Sequence, residues 1–452
     1  MRNVDVLIIG GGASGLQSAI TTKQTYPDKE VVVVRQEEKV LIPCGIPYIF
    51  GTLENSDKNI LPDALLTNLG VEIIIDKMTE LNKENSECVF ASGEKFYYKK
   101  LILALGSVPT KPTWLKGVDT QNVFTIPKNK VYLDAMVESM KNLKKIIVVG
   151  AGFIGVEVSD ELNKRGFDVT LVELEQTILS KAFDSEFGKI AEEHLIDRGV
   201  NIITGKGITE INEEDGKVKS ITLSTWETID ADAVILSMGY RPNTGILKDT
   251  GIALNERGFI KTCEYMRILP CDTNIIAVGD CAEKRDFVTR KIDGTMLAST
   301  ACAEARIAAM NLYALSPCKS FTGTIAIYST AIGDHAFGTA GITETRALAE
   351  GFDIVSASFT GMDTHPGNLS HSHKQTVKLI VANDCGLILG GEVYGGPSAG
   401  ELTNAIGFLI QSRVTIKTLV TMQIGTQPLL TGSPAGYPLM KCAEVLVNKM
   451  RG

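Results

Sequence analysis

A chain of 452 residues is longer than one hydrophobic core usually serves, so two or three domains are expected. Its 44% apolar and 22% charged residues describe a packed globular protein, and 45 lysines and arginines against 53 acids, with no dense basic block, argue against a nucleic-acid partner. No apolar run approaches the roughly 18 residues of a membrane span, the N-terminal apolar stretch is too brief for a signal-peptide core, and nine cysteines (44, 88, 263, 271, 281, 302, 318, 385 and 442) without a CxxC pair suit a reducing cytoplasm.

In chain order, residues 4–20 (VDVLIIGGGASGLQSAI) predict a buried strand, a glycine turn and a helix. Gly10, Gly12 and Gly15 form a GxGxxG. The first allows the tight turn, the second lets backbone approach a pyrophosphate, and the third lets helix and strand pack closely; Ala13 and Ser14 open the helix whose N–H groups face the phosphates. The second strand, at 31–39, departs from the pattern. It puts Val34 or Arg35 where a ribose-binding acid is expected, leaving Glu37 as the substitute.

Cys44 follows in VLIPCGIPYIFGTL (40–53), ahead of a segment that reads as helical. A thiol at a helix N-terminus is expected to have a depressed pKa and to be a reactive thiolate. No second cysteine lies nearby, since Ile49 occupies the position a CxxxxC pair would use. Cys44 must therefore cycle alone, as a sulfenate or as a mixed disulfide or persulfide.

Residues 144–174 repeat the first pattern with Gly150, Gly152 and Gly155, and Phe153 and Ile154 begin the helix. The following strand ends in Glu173, placed to accept from a ribose 2′-OH and to repel a 2′-phosphate, which favours NADH over NADPH. Glu157, on the helix that Phe153 and Ile154 begin, either faces a nicotinamide or is a surface residue. Downstream, 273–283 reads as a strand ending in Gly279-Asp280. Alternating strands over 321–341 and 374–396, a helix at 400–412 and another from Pro438 to Lys449 complete the chain.

The Gly279-Asp280 segment resembles the second flavin fingerprint of two-dinucleotide-domain flavoprotein reductases, in which the matching aspartate bonds the ribityl chain of FAD. FYYKKLILALGSVP (96–109) is similar to the strand that closes their FAD domain, with Leu105 in place of the usual threonine. The CGIPY string resembles the single-cysteine branch of the pyridine nucleotide-disulfide oxidoreductase family: coenzyme A disulfide reductases, NADH-dependent persulfide or polysulfide reductases, and NADH oxidases. The resemblance implies an α/β fold with two Rossmann-like dinucleotide-binding domains, for FAD (1–112 and 245–320) and NAD (113–244), plus a C-terminal α+β dimerisation domain (321–452). It further implies a homodimer, with Gly106, Gly239 and Ala298 joining the cofactor contacts.

Departures bear on the acceptor. Only Lys23 is offered on the first helix for coenzyme A phosphates, and Gln427 replaces the acid/base histidine of related tails. His365 is a candidate proton donor across a dimer, whereas His371 and His373 make a poor metal site. The expected activity is transfer of electrons from NADH through FAD and Cys44 to a small disulfide, persulfide or polysulfide. The alternatives are an NADH oxidase or peroxidase using oxygen or peroxide, and an electron-transfer flavoprotein with a protein partner.

Overall fold

The computed structural model describes residues 2–270, 272–315 and 320–451; Cys271 and Cys318 lie outside the described residues. The first sheet grows from the strand Arg2–Ile9, whose valines and isoleucines are buried on both faces, as a parallel strand covered by helices must be. It runs parallel to Val31–Arg35 and to Lys95–Leu103, and Glu72–Ile75 adds parallel at one edge. Lys95–Leu103 has two roles. Its first half pairs antiparallel with Glu87–Phe90, and its second half pairs parallel with Ile275–Ala277, which returns from much later in the chain. Helix α1 (Ala13–Thr25) starts directly after the first glycine turn.

Between those two passages the chain builds a second, five-stranded sheet, all parallel, in the order Asn201–Ile203, Asp168–Val172, Lys145–Val149, Ala233–Leu236, Val123–Thr125. Helix α2 (Phe153–Lys164) follows the second glycine turn, and α3 (Ser185–Asp197) precedes the edge strand. Helix α4 (Ala298–Met310) then packs along α1. The expected pairing of two α/β units with an α+β unit is the fold observed.

The third sheet is antiparallel, in the order Tyr328–Ile332, His335–Gly341, Ile388–Gly395, Lys374–Ala382, Ile354–Met362. Two details differ from the sequence expectation. The first strand begins at Tyr328 rather than near 321, and an edge strand, Ile354–Met362, went unrecognised. Val355, Ala357 and Phe359 alternate with Ser356, Ser358 and Thr360 as in a half-buried strand, with Ala357 buried, while the strand's place at the sheet's edge comes from pairing with Lys374–Ala382, which is close in space and about twenty residues on in sequence. Helices α5 (Ser398–Gln411) and α6 (Pro438–Lys449) lie against different strand pairs of this sheet.

The third sheet is fastened to the second by a buried lysine. Lys378, 5% exposed, reaches Asp184 at 2.9 Å, Glu186 at 2.6 Å, Glu344 at 2.9 Å and Glu392 at 3.7 Å. Burial disfavours its charge, but hydrogen bonds to three carboxylates outweigh this and raise its pKa. Lys378, with the hydroxyl and backbone N–H of Thr345, holds Asp184 down to about 2 despite its own burial. Removing the cation would leave several acids uncompensated, so Lys378→Met is expected to destabilise the fold by about 3–5 kcal/mol. Thermal denaturation would show a marked fall in midpoint, and an unchanged midpoint would refute this role.

Candidate active site

The two glycine turns face each other across one cavity of about 1680 Å³, larger than the roughly 300–1,000 Å³ of a single small-ligand site. The geometry repeats. Gly10 and Gly150 adopt φ of +114° and +96°, and a Cβ on Gly15 or Gly155 would collide with the Gly10 or Gly150 carbonyl oxygen. Gly15 and Gly155 therefore serve helix–strand approach and do not line the cavity, whereas Gly10, Gly12, Ala13, Ser14, Gly150, Gly152, Phe153 and Ile154 do. At Gly12 and Gly152 a Cβ would meet nothing within 4 Å, which leaves room for an incoming phosphate. Gly106 and Gly239 line the same space, equally open. Size and backbone cradles thus fit FAD and NADH together.

The ribose ends differ. Glu173 lies on the cavity wall and already accepts from the backbone N–H of Ala151 at 2.6 Å and of Glu175 at 2.9 Å, which fixes its carboxylate beside the second turn. Arg35 instead folds back into the protein. Its guanidinium pairs with Asp63 at 2.7 Å and donates to the carbonyls of Glu37 and Glu38, shaping the loop that presents Glu37 to the cavity.

Asp280 points into the cavity and accepts from Ser107 at 2.7 Å and Lys128 at 2.6 Å. Burial alone would raise its pKa; Lys128, with Ser107 and the more distant Lys284, reverses this and holds it below the usual carboxylate range. Lys128 and Ser107 were not singled out from sequence. They lie far from Asp280 along the chain, and no spacing rule joins them. Gly279, behind Asp280, is clamped from both sides: its N–H donates to Glu304 at 2.7 Å and its carbonyl accepts from Lys284 at 3.0 Å. Both side chains are almost wholly buried, 3.7 Å apart. Ala298, at the start of the helix that carries Glu304, lines the cavity.

Cys44 also opens on this cavity, but not from a helix N-terminus. It sits in the middle of a short 3₁₀ turn, Pro43–Gly45, followed by a second, Pro47–Phe50. Proline has no N–H to donate, so two prolines four residues apart prevent one continuous helix. The expected depressed pKa is overturned accordingly. Desolvation raises the thiol, Glu157 adds to this, and Lys128 only partly opposes it. Glu157 lines the cavity and accepts from Thr330 at 2.8 Å. Its neighbour along the wall, Phe153, stacks on Tyr328 with ring centroids 4.8 Å apart.

Other candidates lie elsewhere. His365 does not line its own chain's cavity; its Nδ1 is 2.9 Å from the Thr431 carbonyl and its N–H donates to Pro428. His371 contacts the Leu429 carbonyl and His373 pairs with Asp363 at 3.2 Å. Gln427 is exposed and braces its own turn through the Leu429 N–H. Lys23 is tied to the carbonyls of Pro27 and Lys29. Among the described residues no helix is long and apolar enough to cross a membrane.

Comparison with known proteins places these features in context. A family model described as pyridine nucleotide-disulphide oxidoreductase matches residues 4–305, and the dimerisation domain of the same family matches 327–435. An NADH oxidase of Methanocaldococcus jannaschii is 28% identical, over 98% of this chain and 99% of its own. An NAD(P)H coenzyme A polysulfide/persulfide reductase of Pyrococcus horikoshii is 29% identical, over 98% of each. Among solved structures, an NAD-dependent persulfide reductase from A. fulgidus superposes with a TM-score of 0.90 at 26% identity, covering 100% of this chain and 84% of that one.

The Glu304 clamp has a pH signature. Burial pushes this carboxyl up to about 7, with Lys284 and the Gly279 N–H pulling the other way. A proton held more tightly folded than unfolded makes stability fall as pH rises, here from about 4.5 to about 7. Glu304→Gln keeps an acceptor for Gly279 but has no titrating proton. Its thermal midpoint should therefore decline less than that of the parent across this window, and an equal decline would rule out Glu304 as the source.

Proposed function

Since the chain belongs to the pyridine nucleotide-disulphide oxidoreductase family, we propose that it is an FAD-dependent NADH oxidoreductase that passes electrons through Cys44 to a small disulfide, persulfide or polysulfide. The observation that carries this reading is the opening of Cys44, the sole cysteine on that wall among the described residues, onto the cavity shared by both glycine turns. Bound FAD would supply two-electron transfer between nicotinamide and thiol. Gly10, Gly12, Ala13, Ser14, Glu37 and Gly106 would contact its phosphate and ribose end, Asp280, backed by Gly279, its ribityl chain, and Ala298 its ring end. Gly150, Gly152, Phe153, Ile154, Glu173 and Gly239 would hold NADH. Glu173 beside the ribose pocket supports NADH over NADPH, because a 2′-phosphate would face a like charge.

Cys44 supports a sulfur acceptor because a thiol attacks a disulfide or persulfide directly, and because no partner cysteine is needed when the acceptor carries the second sulfur. The sulfur-reducing relative and structural neighbour agree with this direction. Reduction of oxygen or peroxide is the second reading, favoured by the M. jannaschii relative's name and by a thiol that can cycle through a sulfenate.

Anaerobic titration should bleach the flavin with stoichiometric NADH and much less readily with NADPH. Cys44→Ser is expected to retain flavin reduction and to lose polysulfide turnover by at least about 10²-fold, since the nucleophile itself is gone. Polysulfide turnover undiminished in Cys44→Ser would sink the sulfur reading; reoxidation by oxygen far faster than by polysulfide in the parent would favour the second.

The chain carries the dimerisation domain of its family, and we propose a homodimer in which His365 of one copy approaches the cavity of the other. Exposed Phe408, Leu429 and Leu430 in that region offer apolar surface for the contact. Analytical ultracentrifugation should return twice the chain mass; a monomer at micromolar concentration would refute the assembly.

A further inference from the structure

Cys44 lies between two strands of the first sheet, Val31–Arg35 and Glu72–Ile75, yet its loop is built into the second. Ile46, Ile49 and Phe50 are buried in one apolar cluster with Val156 and Leu162 of α2 and with the strand Lys145–Val149. The two 3₁₀ turns around the thiol do not hold their own place. Their backbone bonds run from 3.0 Å, Gly45 N–H to Ile42, to 3.4 Å, Gly51 N–H to Tyr48, and 3₁₀ runs this short are weak. Two buried polar side chains hold the loop instead, one at each end. Asn59 donates to the Ile42 carbonyl at 3.0 Å, and a Cβ on Gly45 would collide with its amide. Glu161 of α2, 5% exposed, accepts from the Thr52 hydroxyl at 2.8 Å and from the Thr52 N–H. Gly51 meets it closely: a Cβ there would lie 2.6 Å from the Glu161 carbonyl oxygen and 2.5 Å from its carboxylate. Lys164, further along α2, also donates to the Thr52 hydroxyl, at 2.9 Å.

We infer that Glu161 is the positioning residue for Cys44, on the reading that this thiol meets the acceptor. Asn59 belongs to the same loop and closes it on itself, whereas Glu161 ties it to another element. That element is the helix whose first residues, Phe153 and Ile154, line the cavity. The tie resists release from both sides. Hydrogen bonds to a carboxylate are roughly twice as strong as neutral ones, and a loop that left would strand a buried carboxylate without its donors.

A second tether lies just beyond the first. Ser56 donates to Asp134, and Lys130 pairs with Asp57 at 3.0 Å, so the helix Lys130–Met140 grips the loop's exit as α2 grips its middle. Cys44 is therefore carried by the unit that holds the second glycine turn. Attack on a sulfur–sulfur bond needs the nucleophile close and in line, and a displacement of about 1 Å can cost about 10²-fold in rate. Glu161 touches neither thiol nor acceptor; it acts through Gly51 and Thr52 on where the thiol stands.

The test uses FAD-loaded protein and iodoacetamide alkylation of Cys44, read by peptide mass from about pH 7 to about pH 11. Glu161→Ala removes the tie, and two further variants weaken it with every charge in place: Gly51→Ala drives the loop off Glu161, and Thr52→Val deletes the hydroxyl bond. Desolvation on the cavity wall raises the Cys44 thiol, so a loop that leaves the wall should lower the alkylation midpoint, by about one pH unit in Glu161→Ala and Gly51→Ala and by less in Thr52→Val. Thr52→Ser, which keeps both donors, should restore what Thr52→Val loses. With inorganic polysulfide, Gly51→Ala should lose turnover by about 10²-fold while NADH reduces the flavin at the parent's rate. At matched FAD content and thermal midpoint, an unmoved alkylation midpoint in Glu161→Ala would overturn the inference; if that variant does not fold, an unmoved midpoint in Gly51→Ala would do so. A shift in Glu161→Ala alone would mark a charge effect and overturn it too, as would flavin reduction falling in step with turnover, since α2 rather than the thiol would then have moved. Alkylation does not depend on the acceptor. Shifted midpoints in a protein whose parent turns over no polysulfide would therefore remove the sulfur reading and keep the positioning role.

Discussion

Both halves of the cavity depend on one steric constraint, the absence of a side chain where a helix crosses the glycine turn that precedes it. At Gly15 and again at Gly155 the helix backbone packs against the carbonyl of the turn's first glycine, and a methyl group would not fit. That approach aims the N-termini of α1 and α2 at the same open space, so that unpaired N–H groups and the positive ends of two helix dipoles converge where two pyrophosphates can lie.

Around this frame the cavity's charges are handled in two ways. Lys128 and Ser107 favour the charged form of Asp280, and its backbone is held by a Lys284–Glu304 pair that solvent does not reach. Rigid placement of a long-lived charge is what a binding contact requires. Glu157 and Cys44 are treated differently: desolvation works against the charge on each, and among the described residues no cation pairs with Glu157.

The third sheet completes this second environment. Tyr328 stacks on Phe153 and Thr330 bonds Glu157, both from the strand Tyr328–Ile332. That strand is kept against the second sheet by the Lys378 cluster and, nearby, by His194, whose ring stacks on His335 at 3.8 Å and meets the Tyr394 hydroxyl at 2.7 Å. Side chains remote from the chemistry thus decide where Thr330 stands.

The strand–glycine–helix units were legible from residues 4–20 and 144–174 because their signal is local: a buried β-branched run, a fixed glycine spacing and a helix start, each dictated by backbone sterics within some twenty residues. Glu173 and the Gly279-Asp280 turn were legible for the same reason, as were the absence of a second cysteine near Cys44 in the sequence and the α/β character of the chain. What tertiary structure alone decided was the electrostatic company of these residues. The partners of Asp280, Glu157 and Arg35 are Lys128, Thr330 and Asp63, brought in from other turns, sheets or loops at separations no periodicity encodes. Cys44 marks the boundary between the two kinds of knowledge: its position between Pro43 and Pro47 is local, but the desolvation and the Glu157 charge that raise its pKa come from other parts of the fold, so the sequence pointed to the thiol and only the fold decided the direction of its acidity.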